Sequence, residues 1–539
     1  MGSSTDTVPD TSQATQAARA APPTPGVPGG PAPDHHGLVD GFLAHARRDP
    51  HATALVWRDE EIDYGTLLRR AQARRARLDR LTGDSPVGVP AVKSPDTIAL
   101  VLACLLERRP VLLPSATLGA DALERLYDEA GVREVLDPAA PATPDQHTHQ
   151  DADVDAGDAP DHAHTGPWNP PAPPGGQPAL LLTTSGSTGL PKIVPLGVEA
   201  VDAFVHWAAD AFGIGPGSTV LNYAPLNFDL CLLDLWATLA HGGKVVLVDP
   251  DQALSGPRLL ALLDRHRAEV VQGVPMFYRL ITDAAQDTGS VLPSVRHAVF
   301  TGDALPGPVL ARLPHLMPAA RLYNVYGCTE TNDSFWYEVT DARTEAGTPL
   351  PLGRPLAGVD HFLADGDGRV LEGPGTGELL VSTPFQTDGY LGAAASAHVF
   401  APHPSGTGGR RYFRSGDLVR RHPDGSLTLE GRTDHQVKVR GVRVNAQEVE
   451  SVLLAHPDVT EAAVLALPDP VAGRLLHAVV RRTTGSGLNT LTLRGHLARR
   501  LPRAAVPSTL RITDDPLPRT STGKVDRDLA AKAHFTKEN

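Results

Sequence analysis

Leu180-Leu-Leu-Thr-Thr-Ser-Gly-Ser-Thr-Gly-Leu-Pro-Lys192 is the stretch on which the fold assignment turns. An apolar run of strand length enters a loop of small hydroxyl and glycine residues that ends in Pro-Lys. Small residues let backbone N–H groups approach phosphate oxygens, hydroxyls add donors, and Lys192 adds charge. Thr184, Ser185, Gly186, Ser187, Thr188, Gly189 and Lys192 are therefore candidate phosphate ligands. The loop is not of the GxxxxGK[ST] kind, because counting from Gly186 puts Pro191 where the second glycine belongs. The competing reading is a flexible Ser/Gly linker, and the preceding strand and terminal Pro-Lys weigh against it.

On the C-terminal side, apolar strand-like segments recur at 220–223, 244–248, 270–271, 297–300 and 321–325, with helical spacing between them. That alternation predicts an α/β fold with largely parallel sheets, in which ligands collect at the carboxyl ends of the strands. On the N-terminal side, residues 36–135 alternate in the same way. The apolar run 98–106 is interrupted by Glu107, Arg108 and Arg109 and reads as a buried helix, too short to span a bilayer. Residues 411–440 read as hairpins, with His422-Pro-Asp-Gly as a turn. A smaller α/β unit follows from about Thr433, with helices near 446–455 and 492–500.

The chain has 539 residues, 51 glycines and 50 prolines, well above ordinary usage for both, and a formal charge of −13. Such a charge argues against a phosphate-tracking nucleic-acid binder and against an anionic membrane surface. Residues 1–35 lack large apolar side chains and are expected to be a disordered tail. Residues 138–177 read as a low-complexity loop; its His147, His149, His162 and His164 have HxH spacing, but a solvated loop is favoured over a metal site. Cys104, Cys231 and Cys328 are too few and scattered for a disulfide framework, and no signal sequence is apparent, which fits the cytoplasm.

Four further motifs follow in order: Tyr326-Gly-Cys-Thr-Glu-Thr331, Tyr412-Phe-Arg-Ser-Gly-Asp417-Leu, Gly431-Arg-Thr-Asp-His-Gln-Val-Lys-Val-Arg-Gly441 and Pro518-Arg-Thr-Ser-Thr-Gly-Lys524-Val-Asp. In order and spacing they resemble the adenylate-forming superfamily of acyl-CoA synthetases, luciferases and nonribosomal peptide synthetase adenylation domains. The resemblance runs from about residue 38 to 531. It implies a large N-terminal domain, 36–432, of mixed and parallel sheets flanked by helices plus a hairpin-rich subdomain. It also implies a small mobile α+β lid, 433–531, a hinge at Asp434, and a tail at 532–539.

The activity implied is attack of a carboxylate on the α-phosphate of ATP, so the site must neutralise two anions and stabilise a charged transition state. By position in the family motifs, Lys524 would reach the substrate carboxylate and the phosphate. Glu330 would bind Mg2+ with Thr184 or Thr329 nearby. Tyr326, followed by Gly327, would stack on adenine with Asn324 at its edge, while Asp417 would accept the ribose hydroxyls with help from Arg432. Singly, each of these residues has a bland reading: Glu330 a helix start, Asp417 a turn residue, Lys524 a surface charge. Jointly they reproduce the family series.

Asn222-Tyr-Ala-Pro-Leu-Asn-Phe228-Asp229 bears on the substrate. Peptide-synthetase adenylation domains have Phe-Asp here, and the resemblance implies that Asp229 binds the substrate's amino group. A buried ammonium needs a paired carboxylate. The competing readings are that Asp229 caps the following helix, or that Asp234 confuses the register. The same resemblance gives Leu230, Leu233, Gln272, Val299, Thr301, Val325, Asp333 and Ser334 as the pocket lining. An unpaired buried Asp333 would be costly, so the substrate is expected to bring a hydroxyl, amide or second amine. For Asp333 and Ser334 an exposed loop is the alternative. Ile193, Cys328 and Asn445 depart from the family pattern without removing a catalytic group. The expectation is a free-standing amino-acid adenylating enzyme that loads the phosphopantetheine thiol of a separate carrier protein. An acyl- or aryl-CoA synthetase, an amide-forming ligase and a non-catalytic nucleotide-binding protein are the alternatives.

Overall fold

The computed structural model describes residues 37–81, 83–140, 178–184, 191–340, 349–391, 399–404, 410–433, 436–469, 472–519 and 525–535. The expected tail at 1–35, residues 536–539 of the one expected at 532–539, nearly all of the 138–177 loop with its four histidines, and Asp434 lie outside them, while residues 532–534 belong to the helix Arg527–His534.

Short runs of Val, Leu and Ala buried on both faces build the central sheet of nine strands. Its order is Arg354–Pro355, Asn332–Glu338, Arg321–Cys328, His297–Phe300, Val270–Gly273, Thr219–Asn222, Lys244–Leu247, Thr53–Trp57, Glu60–Asp63. From Arg321–Cys328 to Thr53–Trp57 every pairing is parallel. Thr219–Asn222 and Val270–Gly273 are buried at every position, as parallel strands sandwiched between helices must be. The helix Pro95–Leu106 is buried all round except at Asp96, with Ser94 Oγ accepting from the Thr97 N–H at 3.1 Å at its start, so the apolar run at 98–106 is core.

A second sheet runs Glu134–Val135, Val87–Gly88, Val111–Leu112, Pro178–Thr184, Lys192–Gly197. Its last pairing is antiparallel, with Thr184 opposite Lys192. Pro178–Thr184 and Lys192–Gly197 thus form an antiparallel pair, and the candidate phosphate ligands Ser185, Gly186, Ser187, Thr188 and Gly189 lie outside the described residues. A third sheet is wholly antiparallel and holds Asp360–Ala364, Gly375–Ser382, Phe400–Pro402, Arg411–Arg421 and Leu427–Arg432. The turn predicted at His422-Pro-Asp-Gly closes its last hairpin, with Gly425 at φ +84°.

The C-terminal domain begins with the hairpin Gln436–Val439/Val442–Asn445. It continues into the sheet Val459–Asp469, Gly473–Arg482, Thr509–Thr513, packed on the helices Ala446–Leu454 and Thr490–Ala498. Val449, Leu453, Val464, Val480, Leu493 and Leu497 form its separate apolar core. Among the described residues no helix is long and apolar enough to cross a membrane.

Candidate active site

Three adjacent parallel strands end at one cavity. Gln272 lies at the carboxyl end of Val270–Gly273, Thr301 and Gly302 follow His297–Phe300, and Gly327 and Cys328 close Arg321–Cys328; all five line it. Parallel strands with helices on their faces leave their carboxyl ends as the natural ligand position. The chain then turns sharply through Thr329, Glu330 and Thr331 and runs back as the antiparallel strand Asn332–Glu338. Glu330 is therefore a turn residue between two strands, and Asp333 and Ser334 are buried strand residues, which removes the helix-start and exposed-loop readings.

Tyr326, Asp417 and Arg432 meet. The Tyr326 hydroxyl donates to Asp417 Oδ2, and Arg432 forms an ion pair with Asp417 Oδ1 while donating to the Ser415 carbonyl at 2.9 Å. Asp417 stands opposite Arg432 across the antiparallel hairpin, which is why residues 15 apart in sequence share one site. Burial, and the neighbouring Asp417 charge, push the Tyr326 phenol up, so it stays a donor. The Asn324 side chain donates to the Pro351 carbonyl at 2.9 Å.

Glu330 is almost fully enclosed, and its Oε1 accepts from the Tyr390 hydroxyl at 2.6 Å. The Lys192 ammonium sits 4.5 Å over the Tyr390 ring, and Thr184 faces Lys192 across its hairpin. Tyr390 thus ties the Pro178–Gly197 strand pair to the Glu330 turn. Thr184 Oγ1 is buried and has no hydrogen-bond partner among the described residues. A carboxylate and an unsatisfied hydroxyl are hard oxygen donors, and Mg2+ characteristically takes one or two such protein ligands beside substrate phosphates. The residues fit that ion; among the described residues there is no group of three or more His, Cys, Asp or Glu side chains that would form an all-protein cage.

Asp229 lines the cavity with Phe228 and Leu230. Its carboxylate accepts from the Thr329 hydroxyl and from the Leu230 N–H at 3.0 Å, while burial pushes its pKa up. Asp234 is not interchangeable with it. Asp234 sits on the π-helical turn Leu232–Ala237, is fully buried, and accepts from Asn222 Nδ2 at 2.8 Å. Gln272, Thr301 and Asp333 line the same cavity as Asp229. Leu233, Val299, Val325 and Ser334 are buried to 2% exposure or less and do not line it.

The sequence reading did not identify Phe204, Tyr390, Lys438 or Gly441 as site residues. Lys438 and Gly441 come from the first hairpin of the C-terminal domain and close over the cavity. At φ +81°, Gly441 is in the left-handed region, and a Cβ there would stand 2.4 Å from Val274 Cγ1, so only glycine lets the hairpin approach this closely. The signal for Lys438 was present inside Gly431–Gly441, but nothing local says which face of a hairpin meets another domain. Lys524 lies outside the described residues. The described residues on either side of it are joined by an Arg519–Val525 bridge, and Glu461 accepts from Arg519 Nη2 and the Leu517 N–H, both at 2.8 Å.

The model of the AMP-binding enzyme family matches residues 42–391, and that of the AMP-binding enzyme C-terminal domain matches residues 448–524. The chain is similar to an L-proline–[L-prolyl-carrier protein] ligase of Streptomyces coelicolor, 37% identical over 65% of this chain and 64% of the relative. It is similar also to a ligase of the same name from Pseudomonas fluorescens, 35% identical over 66% and 68%. The match thus spans about two thirds of these relatives' length. Among solved structures, an NRPS protein containing adenylation and PCP domains, bound to a vinylsulfonamide inhibitor, superposes with a TM-score of 0.76. It is 25% identical, over 93% of this chain and 84% of that one.

Proposed function

The chain belongs to the AMP-binding enzyme family, and on that premise we propose that it activates a free amino acid with a polar side chain and loads it on a carrier protein. In the first step a substrate carboxylate oxygen attacks the α-phosphorus of ATP. A new P–O bond forms, the bond to the β-phosphate bridging oxygen breaks, and pyrophosphate leaves. In the second step the phosphopantetheine thiol of a separate carrier attacks the aminoacyl carbonyl carbon, losing its proton, and AMP departs.

The observation that carries this reading is Asp229, a carboxylate set in the cavity at the carboxyl ends of the parallel strands and within reach of the Glu330 charge. A desolvated carboxylate there is costly unless a cation completes it, and a substrate ammonium does so. Tyr326 would lie against adenine and Asp417 would accept the ribose hydroxyls, oriented by Arg432. Glu330 and Thr184 would hold Mg2+, whose charge offsets that of the phosphates. Lys524 would bridge the substrate carboxylate and the α-phosphate. Lys438 and Gly441 stand over the cavity in this arrangement, so the loop that carries Lys524 would take their place by rotation about Asp434 before adenylation. The prolyl-carrier relatives support an amino-acid substrate and a carrier acceptor.

The test is to incubate the protein with ATP, Mg2+ and an amino-acid mixture and follow the adenylate by mass spectrometry, then add either a phosphopantetheinylated carrier or coenzyme A. Aminoacyl-AMP consumed by the carrier alone is the expected result. Consumption by coenzyme A alone would move the acceptor to a CoA synthetase.

A further inference from the structure

The pocket contains a second carboxylate that binding of one ammonium leaves without a counter-charge. Asp333 is the second residue of the strand Asn332–Glu338, stands opposite Gly327 in register, and is only 8% exposed. Its Oδ2 is buried with no hydrogen-bond partner among the described residues. Gln272, 2% exposed on the neighbouring face of the same cavity, has a buried Oε1 in the same condition. Asp229, by contrast, already receives the Thr329 hydroxyl and the Leu230 N–H. Lys438 acts on Asp229, whereas among the described residues the only charge that acts appreciably on Asp333 is Asp229 itself, and it is repulsive.

We propose that the amino acid activated here carries a second cationic nitrogen, as in a short-chain diamino acid, and that Asp333 with Gln272 receives it while Asp229 receives the α-ammonium. The inference rests on the amino-acid-activating reading given above. A side-chain hydroxyl offers one hydrogen for two orphaned acceptors and no charge for the carboxylate. An ammonium offers three hydrogens and a positive charge, enough for Asp333 Oδ2 and Gln272 Oε1 together. Val299 stands opposite Gln272 in register and Ser334 follows Asp333, and both are fully buried, which limits the reach to a short chain.

The experiment is amino-acid-dependent ATP–pyrophosphate exchange with the full chain. It compares 2,3-diaminopropionate, 2,4-diaminobutyrate and ornithine with alanine, 2-aminobutyrate and norvaline of matched carbon skeleton, with serine, homoserine and asparagine, and with proline. One diamino acid is expected to exceed its monoamino match in kcat/KM by about 100-fold or more, since a site built around a polar substrate group rejects the analogue lacking it. Asp333→Asn is expected to collapse that ratio to below about tenfold. Serine, homoserine, asparagine or proline as the best substrate, or a ratio unchanged in Asp333→Asn, overturns the proposal while leaving amino-acid activation standing. Exchange with no amino acid at all overturns both. If the variant does not fold, the wild-type panel alone decides the matter.

Discussion

Asp229 and Asp333 occupy one cavity in different states. Asp229 has hydrogen-bond donors, whereas burial and the Asp229 charge push Asp333 up to about 8. Around pH 7 the empty site therefore holds Asp333 mostly protonated, and binding a cation there requires it to release that proton. The groups that face this pair are Glu330, which opposes ionisation of Asp229, and Lys438 from the C-terminal hairpin, which favours it. The affinity for a diamino acid should rise up to about tenfold per pH unit between pH 6 and 8 and then level, while that for a monoamino acid stays nearly flat. Substrate KM in exchange assays across that range checks it; parallel profiles for the two classes would contradict the assignment. The sequence motifs made both carboxylates legible as pocket residues. Tyr390 was not legible, because its hydroxyl meets Glu330 from 60 positions away and no motif marks it.

A short π-helical turn, Leu232–Ala237, follows Asp229 and is held from behind by a buried polar network. Lys93 Nζ donates to the carbonyls of Asn222 and Tyr223 at 3.2 and 3.0 Å, and Asn222 Nδ2 donates to Asp234. Burial pushes Lys93 down and Asp234 up, and their opposite charges restrain both shifts. Replacing Lys93 with Met would leave Asp234 and two carbonyls uncompensated in the core. The expected loss is about 3–5 kcal/mol of stability, read from urea unfolding; a loss within the error of the extrapolation would show that Lys93 does not compensate Asp234. At this scale the parallel strands were legible because strands buried on both faces are continuously apolar. The Pro178–Gly197 hairpin and the return strand Asn332–Glu338 were less so. Their direction is set by which neighbour they pair with, and residue pattern does not encode that. The network around Lys93 was invisible for the same reason, since its members lie 129 to 130 positions apart.

The whole molecule joins a large α/β domain, whose parallel strands end at the site, to a C-terminal domain that reaches the same site with Lys438 and Gly441. Domain order was legible from motif order, since the two matched family regions follow one another along the chain. The seating of the C-terminal domain was not, because it depends on surface complementarity such as the Gly441–Val274 approach. The account's central claim is that this site activates amino acids through Asp229. The most direct measurement is ATP–pyrophosphate exchange with wild type and Asp229→Ala, across amino acids, their des-amino analogues, and fatty and aryl acids. Exchange confined to amino acids in the wild type, with the variant losing about 100-fold or more on them and far less on des-amino analogues, is the predicted result. Exchange supported only by acids without an amino group, or an equal loss on both classes, would contradict the claim.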